Sequence, residues 1–203
     1  MYDALIIGGG AAGMSCALVL GSAKPKPFAE HKRIGIIMHQ KTSHLQNALF
    51  NNVLGLSPGT LGSDILEQGK IQLKNLYPHV DHIDKEKVQS ILKSSEGFTI
   101  TTNKHSYLSK TVIIAVGYTN LLTIKGLEQY VEPHPRAPKE KERIWLKNED
   151  HVVDNGLYVA GTLAGWTSQF AIASGSGSQV ATDVLTLWNK GKPTKVHDKI
   201  SLV

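Results

Sequence analysis

The chain has 203 residues, 41% hydrophobic and 19% charged, which suits a globular protein with one well-buried core and excludes a disordered one. A single cysteine, Cys16, excludes an intramolecular disulfide and any CxxC redox or zinc pair. The formal charge of +5 is mild and scattered; its densest run, residues 136–143, alternates in sign and reads as a solvated linker, not a nucleic-acid patch.

Residues 3–7 read as a buried parallel strand stopped by glycine. The apolar part of that run, residues 4–7, is too short for a signal-peptide core or a membrane span, so a cytoplasmic protein without membrane contact is expected. Residues 11–22 have helix composition, ended by Gly21 and the Pro25, Pro27 pair, and residues 34–38 (Ile-Gly-Ile-Ile-Met) form a second buried strand. Strand, glycine turn, helix and strand make a βαβ unit.

Residues 45–62 are rich in Asn, Gly, Ser and Pro and are placed in loops. Ser63 then caps a helix running to Leu76, with Ile65, Leu66, Ile71, Leu73 and Leu76 as its apolar positions. Three short runs, residues 80–83, 88–92 and 98–102, separated by polar or glycine-containing turns, have the pattern of an antiparallel meander. Residues 111–116 form another apolar strand ending at Gly117. Residues 144–146 and 157–160 are further strands, the latter ending at Gly161, and a final helix spans residues 169–188.

The strongest local signal is Gly8-Gly9-Gly10-Ala11-Ala12-Gly13, a GxGxxG between strand and helix. Gly8 permits the tight turn, Gly10 lets the backbone approach a pyrophosphate, and Gly13 lets helix and strand pack closely. The helix N-terminus at Ala11 and Ala12 then offers unpaired N–H groups and a positive dipole end to the phosphates.

Residues 3–13 resemble the opening of the FAD domain in thioredoxin-reductase-like flavoproteins, of the FAD-dependent pyridine nucleotide-disulfide oxidoreductase family. Residues 111–117 (Thr-Val-Ile-Ile-Ala-Val-Gly) are similar to that family's second glycine motif, and residues 156–161 (Gly-Leu-Tyr-Val-Ala-Gly) to the strand before its C-terminal flavin motif. Residues 169–181 resemble the helix whose N-terminus faces the flavin pyrimidine ring. The resemblance implies FAD as cofactor, with Gly117, Gly161, Thr162 and the Gln169-Phe170-Ala171 backbone near the flavin and Val88 near the adenine. A helix N-terminus aimed at the N1–C2=O edge would stabilise the negative charge gained there on reduction.

The chain departs from that family in several places. Only residues 118–155 separate the two flavin motifs where the family inserts a nicotinamide-binding domain, which would need on the order of 100 residues. Residues 1–203 are therefore expected to form a single FAD-binding domain, with the seam of the missing insertion at about 118–143. The dithiol is missing as well, and Cys16 is expected to be a small core residue. The acidic residue that usually ends the second strand is replaced by the region of Met38, His39 and Gln40, leaving His39 or Gln40 as a neutral ribose partner, and the family's Gly-Asp becomes Gly161-Thr162.

Of the nine histidines, His79 and His82 lack further ligands and are expected at the surface, so no metal is assigned. His39 and His44 fall near the expected ribose. Asn47, Asn51 and Asn52 lie in a loop that runs close to the flavin in similar proteins, so one of them is expected to touch the ring. Trp166 stands near the flavin or in a dimer interface.

The expected fold is α/β, a mostly parallel Rossmann-like sheet with helices on both faces and a small antiparallel β-meander. The expected function is that of an FAD-dependent oxidoreductase fed by free NAD(P)H or by an external reductase, the alternatives being a non-catalytic FAD- or nucleotide-binding module and an NAD(P) binder without flavin. A homodimer is expected to cover the surface where a second domain would dock.

Overall fold

The computed structural model describes residues 1–39, 43–118 and 122–197. In chain order the elements are β1 (Ala4–Ile7), α1 (Ala11–Ser22), β2 (Ile34–Met38), β3 (Leu49–Phe50), β4 (Thr60–Leu61), α2 (Gly62–Leu76), β5 (Val80–Asp84), β6 (Val88–Ser94) and β7 (Gly97–Thr102). There follow β8 (Ser106–Ser109), β9 (Val112–Ile114), β10 (Val131–Pro133), β11 (Ile144–Leu146), β12 (Val152–Asp154), β13 (Leu157–Val159) and α3 (Phe170–Trp188).

A six-stranded sheet in the order β12-β13-β9-β1-β2-β5 forms the centre. All its neighbours pair parallel except β12 with β13. Strands β1, β2, β9 and β13 are buried along their whole length. Their unbroken apolar runs reflect a sheet covered on both faces, where alternation would place polar groups in the core.

The two faces are covered differently. On one, Ala4 and Ile6 of β1 pack with Cys16, Ala17 and Leu20 of α1, Leu73 of α2 and Val180, Ala181 and Val184 of α3. On the other, Leu5 and Ile7 meet Ile91 of β6, Phe98 and Ile100 of β7, and Leu146 of β11. Helices α1, α2 and α3 thus share one face, and among the described residues antiparallel strands take the place of the expected helices on the second face. The alternating burial along β7 explains why: its inward residues Phe98, Ile100 and Thr102 give the small sheet an apolar side that seals the large one.

The meander itself is displaced by one strand from the sequence expectation. Residues 80–84 pair parallel with β2, from Ile34 with Val80 to Met38 with Asp84, because α2 carries the chain back across the sheet in a second βαβ unit. The meander is β6-β7-β8, with Ser106–Ser109 as its third strand. Residues 45–62 are not all loop, since β3 and β4 pair antiparallel within them, and β10, inside the expected seam, makes a second ribbon with β11 just beyond it.

Helix α2 starts one residue before the expected Ser63 cap. Leu61 occupies the cap position without a side-chain hydrogen bond, and the Gly62 amide donates to the Ala48 carbonyl at 2.8 Å. A Cβ on Gly62 would lie 2.1 Å from the Leu45 oxygen, so the chain enters the helix where only glycine fits. Of its expected apolar positions Leu66 and Leu73 are buried, whereas Ile71 and Leu76 are exposed.

Candidate cofactor-binding site

The chain runs from β1 to β2 and β5 in one direction and to β9 and β13 in the other, so the strand order reverses between β1 and β9. In open α/β sheets the crevice outside the carboxyl ends of the strands at such a reversal is where ligands bind. A cleft of about 640 Å³ lies there, lined by residues following four parallel strands: Gly8 to Ala12 after β1, His39 after β2, Ala115 to Tyr118 after β9, and Ala160 to Thr162 after β13.

The glycine turn is built around backbone contacts. Gly8 has φ +113, its amide donates to the Ile37 carbonyl at 2.9 Å, and a Cβ there would stand 2.3 Å from the Ala115 oxygen. A Cβ on Gly13 would stand 1.8 Å from the Gly8 oxygen, so α1 packs directly on the turn. Gly10 caps α1 without a side-chain hydrogen bond, and the nearest group to a Cβ there is the Ser43 hydroxyl at 3.9 Å. Among the described residues no other atom comes within 4 Å of that position, and the first turn carries no acidic residue. Such an end attracts an anion.

The second helix end at the cleft belongs to α3. Its cap, Gln169, makes no side-chain cap hydrogen bond, and its first turn carries no acidic residue. Phe170 and Ala173 line the cleft, and Phe170 packs on Phe50 of the β3–β4 ribbon at 5.1 Å between ring centres. Gly161, φ +77, opens a 3₁₀ turn over Gly161–Ala164. Its amide donates to the Ser176 hydroxyl oxygen at 2.8 Å, and the Thr162 carbonyl is 3.0 Å from His134 Nε2.

Of the residues proposed from sequence, Gly8, Gly10, Ala11, Ala12, His39, Val88, Gly117, Gly161, Thr162 and Phe170 line this cleft, as does His44. Gly13 acts from behind it, and Gln169 holds the α3 cap. Asn47, Asn52, Gln169 and Ala171 are not among the lining residues. Asn51 has a turn role, its side-chain oxygen accepting the Gly59 amide at 2.8 Å. Gln40 lies outside the described residues.

Trp166 lines a separate hollow of about 440 Å³ with Arg136, Trp145 and His151. Arg136 lies over its ring at 4.9 Å and Arg143 over Tyr118 at 5.1 Å, so part of the expected solvated linker is packed on aromatic rings. His79 is half-buried, with Nε2 3.0 Å from the Gly21 carbonyl, and burial pulls the pKa of both His79 and His82 down. Among the described residues no group of three His, Cys, Asp or Glu side chains is placed to hold a metal ion.

Sequence reasoning missed Glu86 and Lys87, which line the cleft beside Val88. Lys87 had a signal, adjacency to Val88; Glu86 sat in a charged run that reads as a surface turn. Its carboxylate is in fact buried, accepting hydrogen bonds from the Thr102 hydroxyl at 2.6 Å and the Tyr107 hydroxyl at 3.1 Å, with His105 Nδ1 at 2.7 Å. Burial pushes its pKa up, but these hydrogen bonds outweigh burial and hold it below the ordinary glutamate value.

Cys16 is fully buried in α1, and desolvation alone pushes its thiol pKa far up. It is expected to react with a disulfide thiol reagent only after denaturant is added; rapid stoichiometric labelling of the native protein would contradict this burial.

Fold and site together define a dinucleotide-binding α/β domain, with two helix N-termini directed at one strand-end cleft. The chain belongs to the pyridine nucleotide-disulphide oxidoreductase family, whose model matches residues 2–173, and its cofactor is the FAD of that family. A ferredoxin–NADP reductase of Streptococcus thermophilus is 32% identical over 122 residues, covering 58% of this chain and 35% of that protein. Another, from Leuconostoc mesenteroides, is 25% identical over 191 residues, covering 94% of this chain and 50% of that protein. The chain thus spans half or less of the length of these two reductases.

Among solved structures, a thioredoxin reductase from Gloeobacter violaceus superposes with a TM-score of 0.74 at 13% identity, covering 98% of this chain and 99% of that one. The thioredoxin reductase of Streptococcus pyogenes gives 0.68 at 16% identity, covering 95% and 99%. At these identities the likeness is one of fold.

The residues present fit FAD. Two uncapped helix ends, an open Gly10 and an apolar lining that includes Ile37, Val88 and Phe170 suit a long, doubly anionic ligand with a ring system at each end. Among the described residues no helix is long and apolar enough to cross a membrane.

Proposed function

We propose that this chain is the FAD-binding unit of an oxidoreductase, with the pyrophosphate on the Gly8–Gly13 turn, the adenine toward Val88, and the flavin between Gly161 and the α3 N-terminus. The observation that carries the reading is the convergence of two helix ends and the glycines after three parallel strands on one cleft. FAD, when bound, supplies hydride and electron transfer. The protein's part is to hold it: the α1 N–H groups balance phosphate charge, and the α3 end favours negative charge on the nearby ring edge.

We further propose that residues 1–203 act as one domain, with the seam at about 118–143 in place of a nicotinamide-binding insertion. The ribbon that β10 within that seam forms with β11 just after it, packed by Leu146 against the sheet, supports the reading. Reducing electrons would then come from free NAD(P)H or from an external reductase, and they would leave the flavin directly, since the sole cysteine is buried. A cytoplasmic location and a homodimer complete the proposal; a monomeric mass in solution would remove the dimer.

The test is an absorption spectrum of the purified protein before and after adding FAD. One bound FAD per chain is expected, followed by bleaching of the flavin band on anaerobic addition of NADPH or of NADPH with a reductase. A protein that refuses FAD overturns the reading. Bound FAD that neither donor reduces would favour a non-catalytic binding module, the reading consistent with the missing dithiol.

A further inference from the structure

Behind the flavin end of the cleft, the exposed Trp166 and the buried His151 and Ser176 form a hydrogen-bonded chain that ends on the Gly161 amide. The Trp166 indole Nε1 donates to His151 Nε2 at 3.3 Å, the Ser176 hydroxyl lies 2.9 Å from the same Nε2, and Gly161 N–H donates to the Ser176 oxygen at 2.8 Å. His151 is only 8% exposed and Ser176 is buried.

The direction of each bond follows from chemistry. An indole N–H only donates, so the Nε2 facing it is an acceptor and the imidazole is neutral, with its proton on Nδ1. The Ser176 hydroxyl then donates to the same Nε2 lone pair, shared with the longer Trp166 bond, and so turns its own lone pairs toward Gly161.

The backbone around His151 is held against its preference. Asp150 and His151 have φ of +45 and +73, successive left-handed residues that are not glycine. Such a conformation persists only where surrounding contacts over-determine it. Here Asn148 does so, accepting the His151 amide at 3.1 Å while its own amide group donates to the Leu146 and Ala164 carbonyls. One cluster thus ties the turn at 150–151 to both ends of the Gly161–Ala164 turn, and Trp166 ties it to the stretch entering α3.

We infer that neutral His151 is a positioning residue for the flavin end of the cleft, setting the Gly161 turn through Ser176 and the approach to α3 through Trp166, so that protonating it weakens FAD binding. The inference rests on the function proposed above. An imidazolium would set its Nε2–H against the Trp166 N–H and deprive the Ser176 proton of its acceptor. Burial pulls the His151 pKa down, opposed by Asp183 of α3 and by Asp150 of its own turn; Arg136 faces the group from beyond the Trp166 ring.

The test is the FAD dissociation constant, read by quenching of flavin fluorescence, between about pH 5 and pH 8. It would be measured for the whole chain and for His151→Gln, His151→Ala and Ser176→Ala, each checked for native circular dichroism. Wild type is expected to lose about tenfold in affinity toward the acid end, the equivalent of one pKa unit of coupling. His151→Gln keeps an acceptor near the Nε2 position without titrating, so it should bind nearly as well as wild type with a flatter profile. His151→Ala and Ser176→Ala should bind weakly across the range.

A His151→Gln profile as steep as wild type would assign the pH dependence to another group and overturn the inference. So would unchanged binding by both His151→Ala and Ser176→Ala. Failure of wild type to bind FAD at pH 8 instead overturns the proposed function itself, which separates the two failures.

Discussion

Gly177→Ala is expected to abolish tight FAD binding and to lower the melting temperature by about 10 °C, whereas Gly175→Ala, two residues earlier on the same helix, should be neutral or slightly stabilising. The contrast lies in what each new methyl would meet. At Gly177 a Cβ would stand 1.9 Å from the Ala12 carbonyl oxygen and 2.6 Å from its carbon, while at Gly175 nothing lies within 4 Å. The obstacle at Gly177 is the backbone of the first turn of α1, which cannot swing aside as a side chain can. Overpacking against such a neighbour costs about 3 kcal/mol, the upper end of the usual range. Separation of α1 from α3 would also move the two helix ends proposed to hold FAD apart. At Gly175, by contrast, exchange of an exposed helical glycine for alanine gains up to about 1 kcal/mol. Thermal melts and FAD titrations of the two variants check this, and equal melting temperatures would refute the close α1–α3 contact.

Backbone demands of this kind make part of the site legible in the sequence. Gly8, Gly10 and Gly13 carry backbone requirements: a positive φ, an open approach and close packing. Each follows from one residue type at one spacing. The central strands were equally legible, because a strand buried on both faces, such as Ile34–Met38, is an unbroken apolar run. What failed was long-range pairing. Residues 80–84 followed by Lys85 and Glu86 look like the first arm of a hairpin, and Lys85 does adopt φ +58 in a turn. The partner of that strand is nevertheless β2, some forty residues back in the chain, brought alongside by α2. The Ser-Tyr-Leu-Ser stretch of β8 has too little apolar character to announce itself, as its buried member is Ser109. Pro133 similarly disguises β10, which tolerates proline because it belongs to a two-stranded ribbon. The His151–Ser176–Gly161 chain joins residues that nothing in the local pattern connects.

Glu86→Ala is expected to destabilise the protein by about 3 kcal/mol and to weaken FAD binding at the end of the cleft proposed for the adenine. The carboxylate is only 6% exposed and lies at the focus of Thr102, His105 and Tyr107. Removing it leaves the buried Thr102 hydroxyl without this acceptor, whereas His105, itself largely exposed, regains water. Hydrogen bonds to a charged group contribute roughly 1.5–3 kcal/mol each, and the rehydration of His105 keeps the total near the single-digit figure above. Because Glu86 immediately precedes Lys87 and Val88 at the cleft, loosening it should also disturb the start of β6. The pH dependence follows from the lowered pKa. In the acid range the unfolded chain binds the proton more readily than the fold does, so this stabilisation is present above the unfolded pKa and is lost as pH falls through the folded one. The difference in stability between wild type and Glu86→Ala should therefore shrink as pH is lowered below about 4.5, the ordinary glutamate value. Buried histidines destabilise wild type and variant alike in acid and cancel in that difference. Urea melts at neutral and acid pH measure it, and a difference that stays constant or grows in acid would show that the Glu86 carboxylate is not held ionised by its three partners.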